Sequence, residues 1–258
     1  VRADLRGDLV LRRDDAGPEV MPTEYLGESE PLATIVSRGV PPVPKENGPI
    51  FENESEGDEA ARLLKRMAGS EPPLGPVSEA FLQTETSRPF AATQGVSFEG
   101  PGSGIGGFVI DGAPPDTTLA VGPNHVVAWV NSKYMIFNKS GTTLVGATNG
   151  NALFTGLAAG SVCRDFNRGD PILQYDKLAD RWILSQFAFN STTSATRTVN
   201  AQCFAISTTN DPTGSYFLYQ VNFGNQLPDY GKIGIWNDAY YTSYNKFNTS
   251  DAFIGDAL

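Results

Sequence analysis

Three aspartates recur beside a proline: Asp116 in PPDTTLAV, Asp170 in GDPILQYD and Asp229 in LPDYGKIG, at intervals of 54 and 59 residues. Oxygen ligands gathered from three such repeated positions could hold a hard divalent cation such as Ca²⁺. Aspartate at the head of a strand equally accepts backbone N–H bonds in a turn. Recurrence once per unit favours the turn, because a catalytic acid is seldom duplicated. The cation-ligand role of Asp116, Asp170 and Asp229 stays open beside it. Asp176 and Asp180 flank DKLAD and read as turn residues, with Asp180 and Arg181 as a surface pair worth little.

Nucleophilic chemistry has fewer candidates. His125 in GPNHVV is the one histidine of the chain. A Ser-His-Asp site would need it as base, but no GxSxG elbow accompanies it. A structural hydrogen bond at a strand start is the expected role. Sialidase-type hydrolysis would want clustered arginines, and Arg164, Arg168, Arg181 and Arg197 show no recurring placement. Tyr240, Tyr241 and Tyr244 could offer a sugar-stacking face, although strand alternation sends at least one of them into a core.

The elements that must position these groups follow from composition. Net charge is −10 over 258 residues. Residues 1–95 hold 17 acidic and 10 basic side chains but only 4 of the 27 aromatics. A stretch so poor in aromatics and rich in Glu and Pro buries too little apolar surface to offset its ordering entropy. Residues 1–95 are therefore expected to be a largely disordered acidic region and linker, with a short helix near 57–68 (GDEAARLLKRMAG). The acidic balance, without a Lys/Arg stripe, argues against nucleic acid as a partner. No apolar run is long enough for a membrane span. The chain starts at Val1 with no basic-then-apolar leader, as expected of a mature or cropped N-terminus.

From residue 96 the pattern changes. Gly102-Ser103-Gly104-Ile105-Gly106-Gly107 fits GxGxxG, but no strand precedes it and no helix follows, so it reads as a loop. Beyond it, short β-branched and aromatic runs alternate with Gly, Asn, Asp and Pro, which predicts antiparallel hairpins. PPDTTLAVGPNHVVAWVN, GDPILQYDKLADRWILSQF and LPDYGKIGIWNDAYYTSYN share one order: Asp beside Pro, apolar strand, polar turn, stronger apolar strand. The first two units continue into third and fourth strands, hinged on Lys139-Ser140-Gly141 and on DPTG (211–214). Four strands per unit at this period predict an all-β domain over 96–258, a partial β-propeller of about two and a half four-stranded blades. A ten-stranded β-sandwich is the structural alternative. Because propellers close with about four to eight blades, the domain is expected to be incomplete at its C-terminus. The three tryptophans are spaced evenly but not equivalently placed, and carry no weight in the repeat.

Those blocks, with CFAISTTNDPTGSYFLYQ, resemble a largely uncharacterised family of bacterial secreted proteins with a propeller-like region. FNKSGTTL (137–144) is also loosely similar to the Asp-box hairpin of sialidase-like propellers, with Asn138 where Asp would stand. The family resemblance implies secretion but brings no established reaction. With secreted relatives, and with both cysteines falling on one blade, Cys163 and Cys203 are expected to pair; two free thiols in an intracellular protein are the alternative. The functional expectation is a secreted, non-enzymatic propeller scaffold or binding module for carbohydrate or an extracellular protein. A sialidase-like propeller glycosidase, with part of its site in further blades, is the alternative. Ca²⁺ is the cofactor compatible with either.

Overall fold

The computed structural model describes residues 2–3, 8–13, 17–39, 50–51, 95–109, 112–191 and 194–257. The chain divides into two compact units, residues 1–50 with 97–258 and residues 51–96. The helix expected near 57–68 belongs to the second unit and lies outside the described residues.

In chain order the strands begin with β1 (Arg2–Ala3), β2 (Asp8–Arg13) and β3 (Gly17–Glu28), followed by helix α1 (Leu32–Ser37). Two-residue strands β4 (Ile50–Phe51) and β5 (Gly112–Ala113) lie outside the larger sheets. Then come β6 (Thr118–Val121), β7 (His125–Val130), β8 (Lys133–Asn138) and β9 (Thr143–Asn149), and helix α2 (Val162–Asp165). The next group is β10 (Ile172–Asp176), β11 (Arg181–Phe189), β12 (Asn200–Ser207) and β13 (Tyr216–Gly224). The last is β14 (Leu227–Ile235), β15 (Tyr240–Phe247) and β16 (Phe253–Ala257).

The protein is all-β in character, with antiparallel sheets and few helices. β6 to β9 form one meander, β10 to β13 a second and β14 to β16 a third. The first strands of the three meanders are neighbours, β6 packing on β10 and β10 on β14. Among the described residues no sheet closes on itself.

Alternation decides what fills the space between sheets. From the first sheet, Val127, Trp129, Tyr134 and Ile136 point into the main core; from the second come Leu173, Trp182, Leu184 and Leu218. The tryptophans are unequal, as their strand positions suggest: Trp129 and Trp182 are buried, while Trp236 is 67% exposed. The far face of the first sheet is covered by the Gly-rich segment. Phe98 packs on Phe137 at 5.3 Å between ring centroids, and Phe108 is buried with Met135 and Phe137. Ala147 N donates to the Gly106 carbonyl at 3.1 Å. Gly106 sits at φ +54°, and a Cβ there would strike the Met135 terminal methyl, so this glycine serves close packing of the segment on β8.

One expectation is corrected. Residues 17–39 are not linker: β3 pairs antiparallel with β13, with Thr23 opposite Val221 and Tyr25 opposite Tyr219, and α1 buries Leu32 and Ile35. The boundary at residue 95 therefore does not separate this segment from the β domain. Composition missed it because a backbone ladder and the aliphatic side chains of Leu26, Leu32, Ile35 and Val36 hold the segment, with Tyr25 its one aromatic.

Candidate ligand groove

The three repeated aspartates stand at the heads of the three meanders. Asp116 and Asp170 adopt left-handed backbone, φ 41° and 45°, while at the third head the left-handed residue is Tyr230, φ 47°. Aspartate tolerates that region better than most residues. Asn131 holds the first head, its Nδ2 donating to the Pro114 carbonyl at 2.8 Å and to Asp116 Oδ2 at 3.3 Å. Burial raises the Asp116 pKa; the Asn131 hydrogen bond opposes this, and the Asp229 carboxylate adds to the rise. Burial lowers the Lys232 pKa against the pull of Asp170 and Asp229. Asp116 thus feels Asp229, and Lys232 feels both Asp170 and Asp229. Among the described residues no three His, Cys, Asp or Glu side chains are grouped closely enough to hold a metal ion.

The other candidates have structural neighbours. His125 Nε2 lies 4.0 Å from Asp211 Oδ1, a contact between the first and second sheets. Cys163 on α2 and Cys203 on β12 form a disulfide, Cα atoms 5.8 Å apart, both fully buried. Arg168 and Arg197 come together where no sequence spacing signalled it, over the Phe189 ring at 4.6 and 5.6 Å from its centroid. Arg168 Nε donates to the Phe189 carbonyl at 2.9 Å, and Arg197 to Asp251 at 2.7 Å. Burial brings the Arg168 pKa down to about 10.

A cavity of about 510 Å³ opens between the second sheet and the β14–β15 hairpin. In β12 and β13, Cys203, Ala205, Tyr216 and Leu218 face the main core. The opposite parity, Phe204, Ile206, Phe217 and Tyr219, forms the groove floor and remains half-buried. Trp236 and Tyr240 stand on the far wall, and Thr23 of β3 contributes on the outer side. Polar groups reach the groove from Arg181, Asn237 and Asp238. A concave apolar floor with a few polar groups is the usual build of a small-ligand site, and the volume falls in the range of roughly 300–1,000 Å³.

The DKLAD turn frames one end. Asp176 is buried; its Oδ1 accepts from Leu178 N at 2.8 Å and Ala179 N at 3.1 Å, and its Oδ2 accepts from Tyr240 Oη at 2.8 Å. Burial and then the bond to Asp176 push the Tyr240 pKa above its ordinary value, so the phenol stays a donor. The expected Asp180–Arg181 pair is not formed. Asp180 accepts from Tyr175 Oη and Asn210 Nδ2, and Arg181 donates to the Asp180 backbone carbonyl. Of the three tyrosines, Tyr244 is core, Tyr241 donates to Asp238, and Tyr240 lines the groove. Trp236 was the signal overlooked in the sequence: a tryptophan at a strand end, directly before the Asn-Asp turn.

Replacing Asp176 with Ala leaves two turn N–H groups and the Tyr240 hydroxyl without their acceptor. The turn N–H groups belong to exposed residues that water can reach, and the half-buried hydroxyl loses about 1–3 kcal/mol, so the melting temperature is expected to fall by several degrees. Asp176→Asn, which keeps an acceptor oxygen, should recover about half of the loss in the same thermal melt.

In comparison with known proteins, no family model, no curated protein and no solved structure matches the chain.

Proposed function

We propose that this chain is an extracellular, non-enzymatic binding module of β-propeller type that takes a carbohydrate in the groove beside Trp236. Three successive meanders whose first strands adjoin are consistent with blades around an axis, as in the bacterial secreted family that the repeats resemble. A buried disulfide fits an oxidising compartment.

The observation that carries the reading is Trp236, 67% exposed at the mouth of an aromatic groove. An indole in that position presents a flat apolar face to the C–H face of a sugar ring. Arg181 and Asn237 offer donors, and the Asn237 side-chain carbonyl an acceptor, for ring hydroxyls. Binding is favoured over hydrolysis because Asp176 is buried and both its oxygens are already engaged. A glycosidase needs two carboxylates facing the scissile bond across roughly 5–10 Å.

Trp236→Ala is expected to cut capture by insoluble polysaccharides, or affinity for soluble oligosaccharides in calorimetry, at least tenfold. The melting temperature should barely move, since the side chain is mostly outside the fold. Retained glycan binding in the variant, or no glycan bound by the parent protein while a peptide ligand is, would defeat the carbohydrate reading.

A further inference from the structure

We propose that strand β3 is a gate on this groove, an inference that rests on the groove being the ligand site. Among the described residues, Thr23 to Glu28 pair on one side only, with β13, because the ladder with β2 covers residues 17–22. Thr23 forms part of the cavity wall, and Tyr25 leans on the floor residue Tyr219 with ring centroids 5.3 Å apart. Upstream the chain returns through β2 to β1, whose backbone lies against β15. The N-terminal meander therefore reaches from the outer edge of the second sheet across to the third.

Anchoring along this segment is unequal. At its C-terminal side Ser29 N donates to the Tyr216 carbonyl at 2.8 Å, and Tyr216 N donates back to Ser29 Oγ at 3.0 Å. Just beyond, Leu32 is fully buried in the main core. From residue 22 to 28, by contrast, no side chain is fully buried: Leu26 packs only half-buried against the main core, and Tyr25 is 57% exposed. A strand held by one ladder and few buried side chains opens at lower free energy than the core it borders. Gly27 marks the joint: it sits at φ +121°, beside a register shift between Leu218 and Tyr219. Release of residues 23–26 uncovers Tyr219 and Val221 and opens the groove along its outer side, while Ser29 and α1 stay in place.

The test compares the full chain with a Glu24→Pro/Tyr25→Pro variant. Successive strand N–H groups point to opposite sides, so one of the two prolines must remove a ladder donor to β13. Nile red is the probe, being apolar and uncharged and so indifferent to the net charge of −10. The variant is expected to take up the dye at least fivefold faster, with faster amide exchange at Leu218 and Gln220, whose backbone faces β3, and unchanged tryptophan bands in the near-ultraviolet spectrum. Tyr25→Ala, which keeps the backbone ladder, should give a smaller increase and serves if the double variant does not fold. Unchanged uptake despite faster exchange at Leu218 and Gln220 would overturn the gate; so would undiminished protection of those amides. A Trp236→Ala result that defeats the carbohydrate reading leaves the dye measurement intact, so the two failures are distinguishable.

Discussion

Reducing the disulfide, or replacing Cys163 and Cys203 with Ala, is expected to lower the melting temperature by about 8–16 °C. The bridge spans a sequence separation of 40 residues. Cross-linking a loop of that length removes unfolded-state entropy equivalent to roughly 4 kcal/mol. For a domain of this size each kcal/mol moves the melting point by about 2–4 °C. The bridge also fixes α2 to β12, and so ties the connection between the first two sheets to the centre of the second. Both sulfurs are buried, so mild reductant should act slowly on the native protein and quickly once it is partly unfolded. Melts with and without reductant, and of the double Ala variant, check the value. A shift below about 3 °C would mean that native packing alone holds α2 against β12.

Trp182→Ala is expected to cost about 3–5 kcal/mol, the range for removing a large aromatic from a core. The ring is fully buried between the first two sheets and meets Tyr175 edge-on at 4.8 Å between centroids. Gly122 of the first sheet lies so close that a Cβ there would fall 2.6 Å from the indole Cζ2. The indole N–H donates to the Asn210 carbonyl at 2.9 Å, an acceptor left unpaired in the variant. Trp182→Phe keeps much of the apolar volume and should lose about half as much. Total stability of a domain is about 5–15 kcal/mol. Combining Trp182→Ala with loss of the disulfide should therefore abolish folding near 37 °C, as read by circular dichroism.

The hairpins were legible because their signals are local. Gly-Pro-Asn before His125, Asp-Lys-Leu-Ala-Asp before Arg181 and Asp-Pro-Thr-Gly before Tyr216 punctuate runs that alternate in strand fashion, and each proved to be a turn. Asn138 in the sequence Asn-Lys-Ser-Gly-Thr makes such a turn too, its Oδ1 accepting from Ser140 N and Thr142 N at 3.0 and 2.9 Å. The pairing of β3 with β13 was hidden, since Gly17–Glu28 contains Pro18 and Pro22 and its partner is remote in sequence. The groove was hidden for a related reason. Phe204, Ile206, Phe217 and Tyr219 look like ordinary strand residues until it is known how little of the third sheet covers them. Arg168 and Arg197 meet through Phe189, a convergence that no linear spacing announces.

The ladder between β3 and β13 also sets an order of assembly. Ser29 bonds to a residue 187 positions downstream, and Glu24 to one 196 downstream. At about 5–20 residues per second, β3 waits roughly 10–40 s on the ribosome before its partner exists. The second meander can form from its own local hairpins as it emerges, leaving β3 to dock onto a sheet already built. The outer edge of β13, and with it the outer side of the groove, thus stands unpaired in every nascent chain until β3 docks.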